Sequence, residues 1–211
     1  LIAMDAEWGL GMRLDSTISF PYQMTLGAIQ NDDLIYQMGL EIANQLKESG
    51  TQVNFAPVAD VNNNPLNPVI NFRSFGENKY AVSKKAASYM RGLQDGKVLA
   101  TAKHFPGHGD TGTDSHYALP LINHTRERLD SLELYPFREL IRQGIGAIMV
   151  AHLNIPALEP KEGPSTLSKK IITDLLKNEL GFKGLIVTDA MNMKGVTQGN
   201  TPGVVDKDAL L

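Results

Sequence analysis

The 211 residues carry 20 Lys/Arg against 23 Asp/Glu, a net charge of -3, with 42% hydrophobic content. That supports one sizeable core and offers no basic stripe for nucleic acid. Cysteine is absent, which excludes disulfides, thiolate catalysis and cysteine-ligated zinc, and no apolar run approaches the roughly 18 residues of a membrane span.

In chain order, Leu1 to Met4 reads as a core strand. After Asp32, the residues Leu34, Met38, Ile42 and Leu46 mark one helical face that Gly50 can close. Val53 to Ala59 is a second apolar strand, followed by the turn-rich stretch Asn62 to Gly76. Tyr80 to Leu93 repeats the helical theme with Ala86, Ala87 and Met90 before a third strand, Val98 to Ala102. Leu129 to Ile141 is helical with Pro136 as a break or restart, and Ala147 to Ala151 is a fourth strand. Ser168 is placed to cap a helix carrying Ile171, Ile172, Leu175, Leu176 and Leu180, with Gly181 just beyond. Leu185 to Thr188 is the fifth strand.

Continuous apolar strands alternating with helices argue for a parallel sheet covered on both faces. The strands run out into Asp5, Asp60, Lys103-His104, His152 and Asp189, so each ends in a titratable residue. Function collects at that edge both in a (β/α)8 barrel and in a doubly wound sheet. Asp5-Ala6-Glu7-Trp8-Gly9 is no phosphate loop, which favours the TIM-type α/β barrel, with about five of its eight units in residues 1–211. The expectation is a single catalytic domain over 1–211, with both ends clipped from a longer chain that carries room for a fused domain.

The densest chemistry is Lys103-His104-Phe105-Pro106-Gly107-His108-Gly109-Asp110, followed by Asp114-Ser115-His116. Asp189, at a strand end, can be a nucleophile, a general base or a helix cap. Asp114 and His116, two apart, face one side of an extended loop; a carboxylate so placed can fix an imidazole tautomer, or simply make an Asx-turn beside a surface histidine. A metal on His104, His108 and His116 is the rival reading, but Pro106 and Gly107 forbid the helix that would align the first two. His124 reads as plain surface, Asp60 as an anchor for the Asn-rich loop, and His152 as a satisfied histidine at the core edge. Trp8 reads as a sugar-stacking platform or a lid. Arg13 and Arg73 are exposed by pattern, and each alone is an ordinary solvated or paired side chain.

KHFPGHG at Lys103 to Gly109, with Asp114-Ser115-His116, resembles the signature of glycoside hydrolase family 3, specifically its β-N-acetylhexosaminidase branch. The likeness spans the chain: Asp5-Ala6-Glu7 with Arg13, Asn54 to Val61, Arg73-Ser74-Phe75-Gly76, and Thr188-Asp189 followed by Met191 and Met193 are similar to further segments of that family. It implies a retaining hydrolase with no cofactor and no metal, acting on a terminal β-linked N-acetylglucosaminide, a muropeptide among the candidates in peptidoglycan turnover. Asp189 would be the nucleophile and His116, oriented by Asp114, the acid/base. Asp5, Arg13, Arg73, Lys103 and His104 would hold the sugar. A β-glucosidase, β-xylosidase or phosphorylase of the same family, a metal-dependent hydrolase, and a non-catalytic sugar-binding module are the alternatives. No nucleic-acid or membrane-spanning partner is expected, and the compartment stays open between bacterial cytoplasm and periplasm. The sequence departs from the family at Glu7-Trp8-Gly9-Leu10, where Glu-Gly-Gly-Arg is usual.

Overall fold

The computed structural model describes residues 1–113, 118–197 and 203–209. Five parallel strands lie in sequence order: β1 (Ala3–Met4), β2 (Val53–Asn54), β3 (Leu99–Phe105), β4 (Ala147–Val150) and β5 (Leu185–Thr188). The sheet curls into a half-barrel, five units of the expected α/β barrel. Neighbouring strands pair with Ala3 opposite Val53, Val53 opposite Leu99, Thr101 opposite Ala147 and Ala147 opposite Leu185, and the β3–β4 register shifts between Ala102 and Phe105.

Helices carry each crossover. Between β1 and β2 run α1 (Gln23–Gly27) and α2 (Asp33–Glu48), and between β2 and β3 runs α3 (Lys79–Asp95). The apolar stripe of α2 is Ile35, Met38, Ile42 and Leu46. Leu34, expected on it, is instead 56% exposed. One residue turns a helix by about 100°, so Ile35 takes the inward place and Leu34 leaves it. The α2–α3 contact is close because Gly39 and Gly92 face each other; a Cβ on Gly92 would stand 2.2 Å from the Tyr36 carbonyl oxygen. Asn78 caps α3, its side chain accepting from the N–H groups of Tyr80 and Ala81.

Pro136 acts as the restart the sequence suggests. The region divides into α4 (Arg126–Ser131) and α5 (Tyr135–Arg142), with Pro136 in the first turn of the second, where its missing N–H costs nothing. Before β5, Lys170–Glu179 winds as a π-helix, capped by the Ser168 hydroxyl, which accepts from the Ile171 N–H at 3.2 Å.

Four strands differ from expectation in their bounds: β1 begins at Ala3 rather than Leu1, β4 ends at Val150 rather than Ala151, and the larger differences at β2 and β3 shape the site. β2 is regular only over Val53–Asn54, although pairing continues irregularly: Thr101 donates to the Ala56 carbonyl and Ala59 to that of Lys103. β3 runs past Ala102 to Phe105, because Lys103 has backbone partners in Pro57 and Ala59. Lys103 and His104 are therefore strand residues rather than loop residues, held in the frame of the sheet. The peptide bonds Ala56–Pro57, Lys103–His104 and Phe105–Pro106 are cis.

Candidate active site

A cavity of about 480 Å³ opens at the C-terminal ends of the strands, and Asp5, Arg13, Arg73, Lys103, His104 and Asp189 all line it. Its floor is a chain of alternating charges. The Arg13 guanidinium donates to Asp5 at 2.9 Å, and Lys103 Nζ lies 2.7 Å from the other Asp5 oxygen and 2.8 Å from Glu7 Oε1. Arg73 grips Glu7 with two bonds, at 2.6 and 3.0 Å. Three cations thus share two carboxylates. Burial alone would raise the Glu7 pKa, but Lys103 and then Arg73 outweigh it and hold the carboxyl ionised, far below the usual range.

His104 is aimed by Asp60. That carboxylate is fully buried and accepts from the His104 N–H at 3.2 Å, the His108 N–H at 2.7 Å and His104 Nδ1 at 2.7 Å. Nδ1 thus faces Asp60, leaving Nε2 toward the cavity, 3.5 Å from an Arg73 nitrogen. Burial opposes ionisation of Asp60, yet His104 and the His108 N–H hold its pKa below the ordinary value. His108, buried beside it, hydrogen-bonds Thr111 Oγ1 at 2.6 Å. Burial first, and His104 second, push its pKa down to about 4.

Asp189 follows β5 directly. Its carboxylate accepts from the Ala190 N–H at 2.8 Å. Burial raises its pKa, but His104, the Ala190 N–H, His152 and Lys103 together bring it below the usual value, so it is an anion at neutral pH. His152 does not line the cavity. It braces the segment after β5, with Nδ1 2.9 Å from Thr166 Oγ1 and Nε2 3.0 Å from the Ala190 carbonyl.

The rim is aromatic. Trp8 packs edge-on to Tyr22 with centroids 4.7 Å apart, and Tyr22 lies 4.6 Å from Phe72. Trp8 and Phe72 line the same cavity as Asp5 and Asp189.

Sequence reasoning left two residues without their structural part. Glu7 stands out in the sequence only as part of a motif, and Asp60 only as an anchor for the Asn-rich loop; in the structure both are buried hubs, Glu7 holding Lys103 and Arg73 and Asp60 holding His104. His124 is not plain surface: it is half-buried, with Nε2 2.5 Å from Asp110 Oδ2. Its donor atom, with those of Asp110 and Glu133, falls within 4.8 Å of the others. Arg128 bonds Glu133 at 2.9 Å and lies 4.0 Å from Asp110, so a guanidinium already supplies positive charge there. The metal reading on His104 and His108 loses a ligand atom on each, since Asp60 and Thr111 engage their Nδ1 atoms. Asp114 and His116 lie outside the described residues. Among the described residues, no helix is long and apolar enough to cross a membrane.

Comparison with known proteins agrees with this architecture. Residues 1–210 match the glycosyl hydrolase family 3 N terminal domain. Beta-hexosaminidase A of Pseudoalteromonas piscicida is 40% identical over 217 residues, covering 95% of this chain and 36% of that protein. A beta-hexosaminidase of Nitrosomonas eutropha is 37% identical, over 92% of this chain and 57% of its own length. Among solved structures, a glycoside hydrolase family 3 beta-N-acetylglucosaminidase from Paenibacillus sp. str. FPU-7 superposes with a TM-score of 0.95 at 45% identity, over 100% of this chain and 40% of that one. The chain thus spans between about a third and three-fifths of these relatives' lengths, and it belongs to glycosyl hydrolase family 3, as an N-terminal domain of that family.

Proposed function

We propose that residues 1–211 act as the catalytic domain of a retaining β-N-acetylglucosaminidase, with Asp189 as nucleophile. The observation that carries this reading is the pairing of an ionised Asp189 with the polar groups Asp5, Arg13, Arg73, Lys103 and His104 in one cavity. A carboxylate facing a cluster of donors suits attack on an anomeric carbon while the hydroxyls of the same ring are held in place. The choice of N-acetylglucosamine rests on the relatives, which are beta-hexosaminidases and a beta-N-acetylglucosaminidase.

In this mechanism the aglycone leaves as Asp189 forms a covalent bond to the anomeric carbon. Water then attacks that carbon and releases Asp189. His116, oriented by Asp114, donates a proton to the leaving oxygen in the first step and accepts one from water in the second. An imidazole suits the second duty because its neutral form adds no negative charge beside Asp189.

The two roles separate kinetically. Asp189→Ala should abolish turnover of every substrate, because no glycosyl-enzyme can form. His116→Ala should still react with an activated aryl N-acetyl-β-glucosaminide and then stall, giving a burst followed by slow turnover; Asp114→Ala should be a milder version. Normal turnover of an unactivated disaccharide by His116→Ala would remove that residue from the mechanism. Running the same assay with aryl β-glucoside, and with added phosphate as acceptor, separates the β-glucosidase and phosphorylase alternatives.

A further inference from the structure

We propose that Trp8, backed by Tyr22 and Phe72, forms a stacking wall for the pyranose ring on the leaving side of the scissile bond, making this site selective for saccharide aglycones. The inference deepens the hydrolase reading above and rests on it. It begins from depth. Of the polar groups at the floor, Glu7 is 0%, Lys103 1% and His104 5% exposed, while the Asp5 and Arg13 side chains, 34% and 45% exposed, rise from it toward the opening. The aromatic groups stand at the mouth, where Tyr22 and Phe72 are 46% and 47% exposed and Trp8 is half-buried. An enzyme that removes a terminal sugar seats it on the closed, hydrogen-bonding floor, and the remainder of the substrate leaves through the mouth. The rings therefore meet the aglycone rather than the retained sugar.

The wall is pre-formed. Edge-to-face packing of Trp8 on Tyr22 and the tilted contact of Tyr22 with Phe72 fix three rings against one another. The backbone is fixed as well. The Trp8 carbonyl accepts from the Phe20 N–H at 3.0 Å, and Gly9 turns the chain at a φ of 82°, where a Cβ would stand 2.9 Å from the Gln45 side chain. Little ordering is left for binding to supply. A pyranose with equatorial substituents presents flat C–H faces, which pack against the electron-rich face of an aromatic ring, while its hydroxyls stay in water at the open mouth. Phe55, Met12 and Val69 add apolar surface to the cavity lining.

The test compares two substrates in the full chain: the N,N′-diacetylated β-1,4 disaccharide of glucosamine, and methyl N-acetyl-β-glucosaminide, whose aglycone has nothing to stack. In Trp8→Ala the ratio of kcat/KM for the disaccharide over the methyl glycoside should fall about ten-fold. Phe72→Ala should shift it in the same direction by less. Trp8→Phe should recover most of the ratio, which separates stacking from a folding defect. An unchanged ratio, whether both rates hold or both fall together, would overturn the wall. Failure of the unaltered protein to cleave either glycoside would overturn the hydrolase reading itself, a distinguishable result.

Discussion

Two carboxylate–histidine pairs stand on either side of the same signature segment, and they are built differently. Asp60 and His104 are both buried, and the carboxylate also holds the backbone N–H groups of His104 and His108. Asp110 and His124 are half-exposed, close to Arg128 and Glu133. Contact distances are similar, 2.7 against 2.5 Å. What differs is the cost of breaking them. In the buried pair, three donors depend on one carboxylate with no water to replace it. In the exposed pair, solvent can take over either partner. Burial, not distance, separates a hub of the site from a half-buried, solvent-accessible contact.

The comparison breaks first, and most severely, at the hubs. Asp60→Ala strands two backbone N–H groups and an imidazole, and should cost about 3–5 kcal/mol of stability. Glu7→Gln leaves Lys103 and Arg73 short of an anion in the cavity floor and belongs in the same range. Urea denaturation measures both; a loss below about 1 kcal/mol in either would mean that the floor reorganises. Asp60→Asn is the sharper probe. It keeps an acceptor and the volume but loses the charge that holds His104, so kcat/KM should fall more than stability does.

Acid should act on the same hub next. Asp60 and Glu7 have depressed folded pKa values, so their stabilisation is complete above the unfolded carboxylate range and is lost as pH falls through the folded values. His108 contributes earlier in the titration. Its folded pKa of about 4 lies below the ordinary 6.5, so between those values the unfolded chain binds a proton that the folded one refuses. Stability should therefore decline as pH drops from about 6.5 toward 4. Thermal melts across that window read the decline, and His108→Gln should flatten it. A melting temperature independent of pH over this range in the unaltered protein would contradict a neutral, buried His108.

The smallest effect is expected at the exposed pair. Asp110→Asn should cost less than about 1 kcal/mol, the range of solvent-accessible ion pairs. A cost comparable to that of Asp60→Ala, in the same denaturation experiment, would erase the distinction drawn between the two regions.

The sequence displayed the frame of the site better than its supports. Strand ends were legible where a short apolar run stops directly at a carboxylate, at Asp5 and Asp189; β2 instead ends at Asn54, six residues before Asp60, and β4 at Val150, two before His152. β5 could be read to its last residue. β3 could not, since its final three residues are polar or aromatic and pair as a strand only because the segment after Pro57 lies alongside them. Glu7 and Asp60 were illegible for a related reason. Their partners are 66 and 44 residues away, at Arg73 and His104, and no local pattern announces a carboxylate that serves distant groups. Arg73, exposed by sequence pattern, is mostly covered for the same cause, its side chain 19% exposed against Glu7. Leu34 shows the local limit: a four-residue spacing identifies a helix but leaves a one-residue ambiguity in which face turns inward.

The most direct test of the central claim is to trap the covalent intermediate. A slow fluorinated N-acetylglucosaminyl donor, one that glycosylates rapidly and hydrolyses slowly, should label the full chain with one sugar. Peptide mass mapping should then place that sugar on Asp189. Label on another carboxylate, or hydrolysis of ordinary substrates with no trappable adduct, would contradict the account.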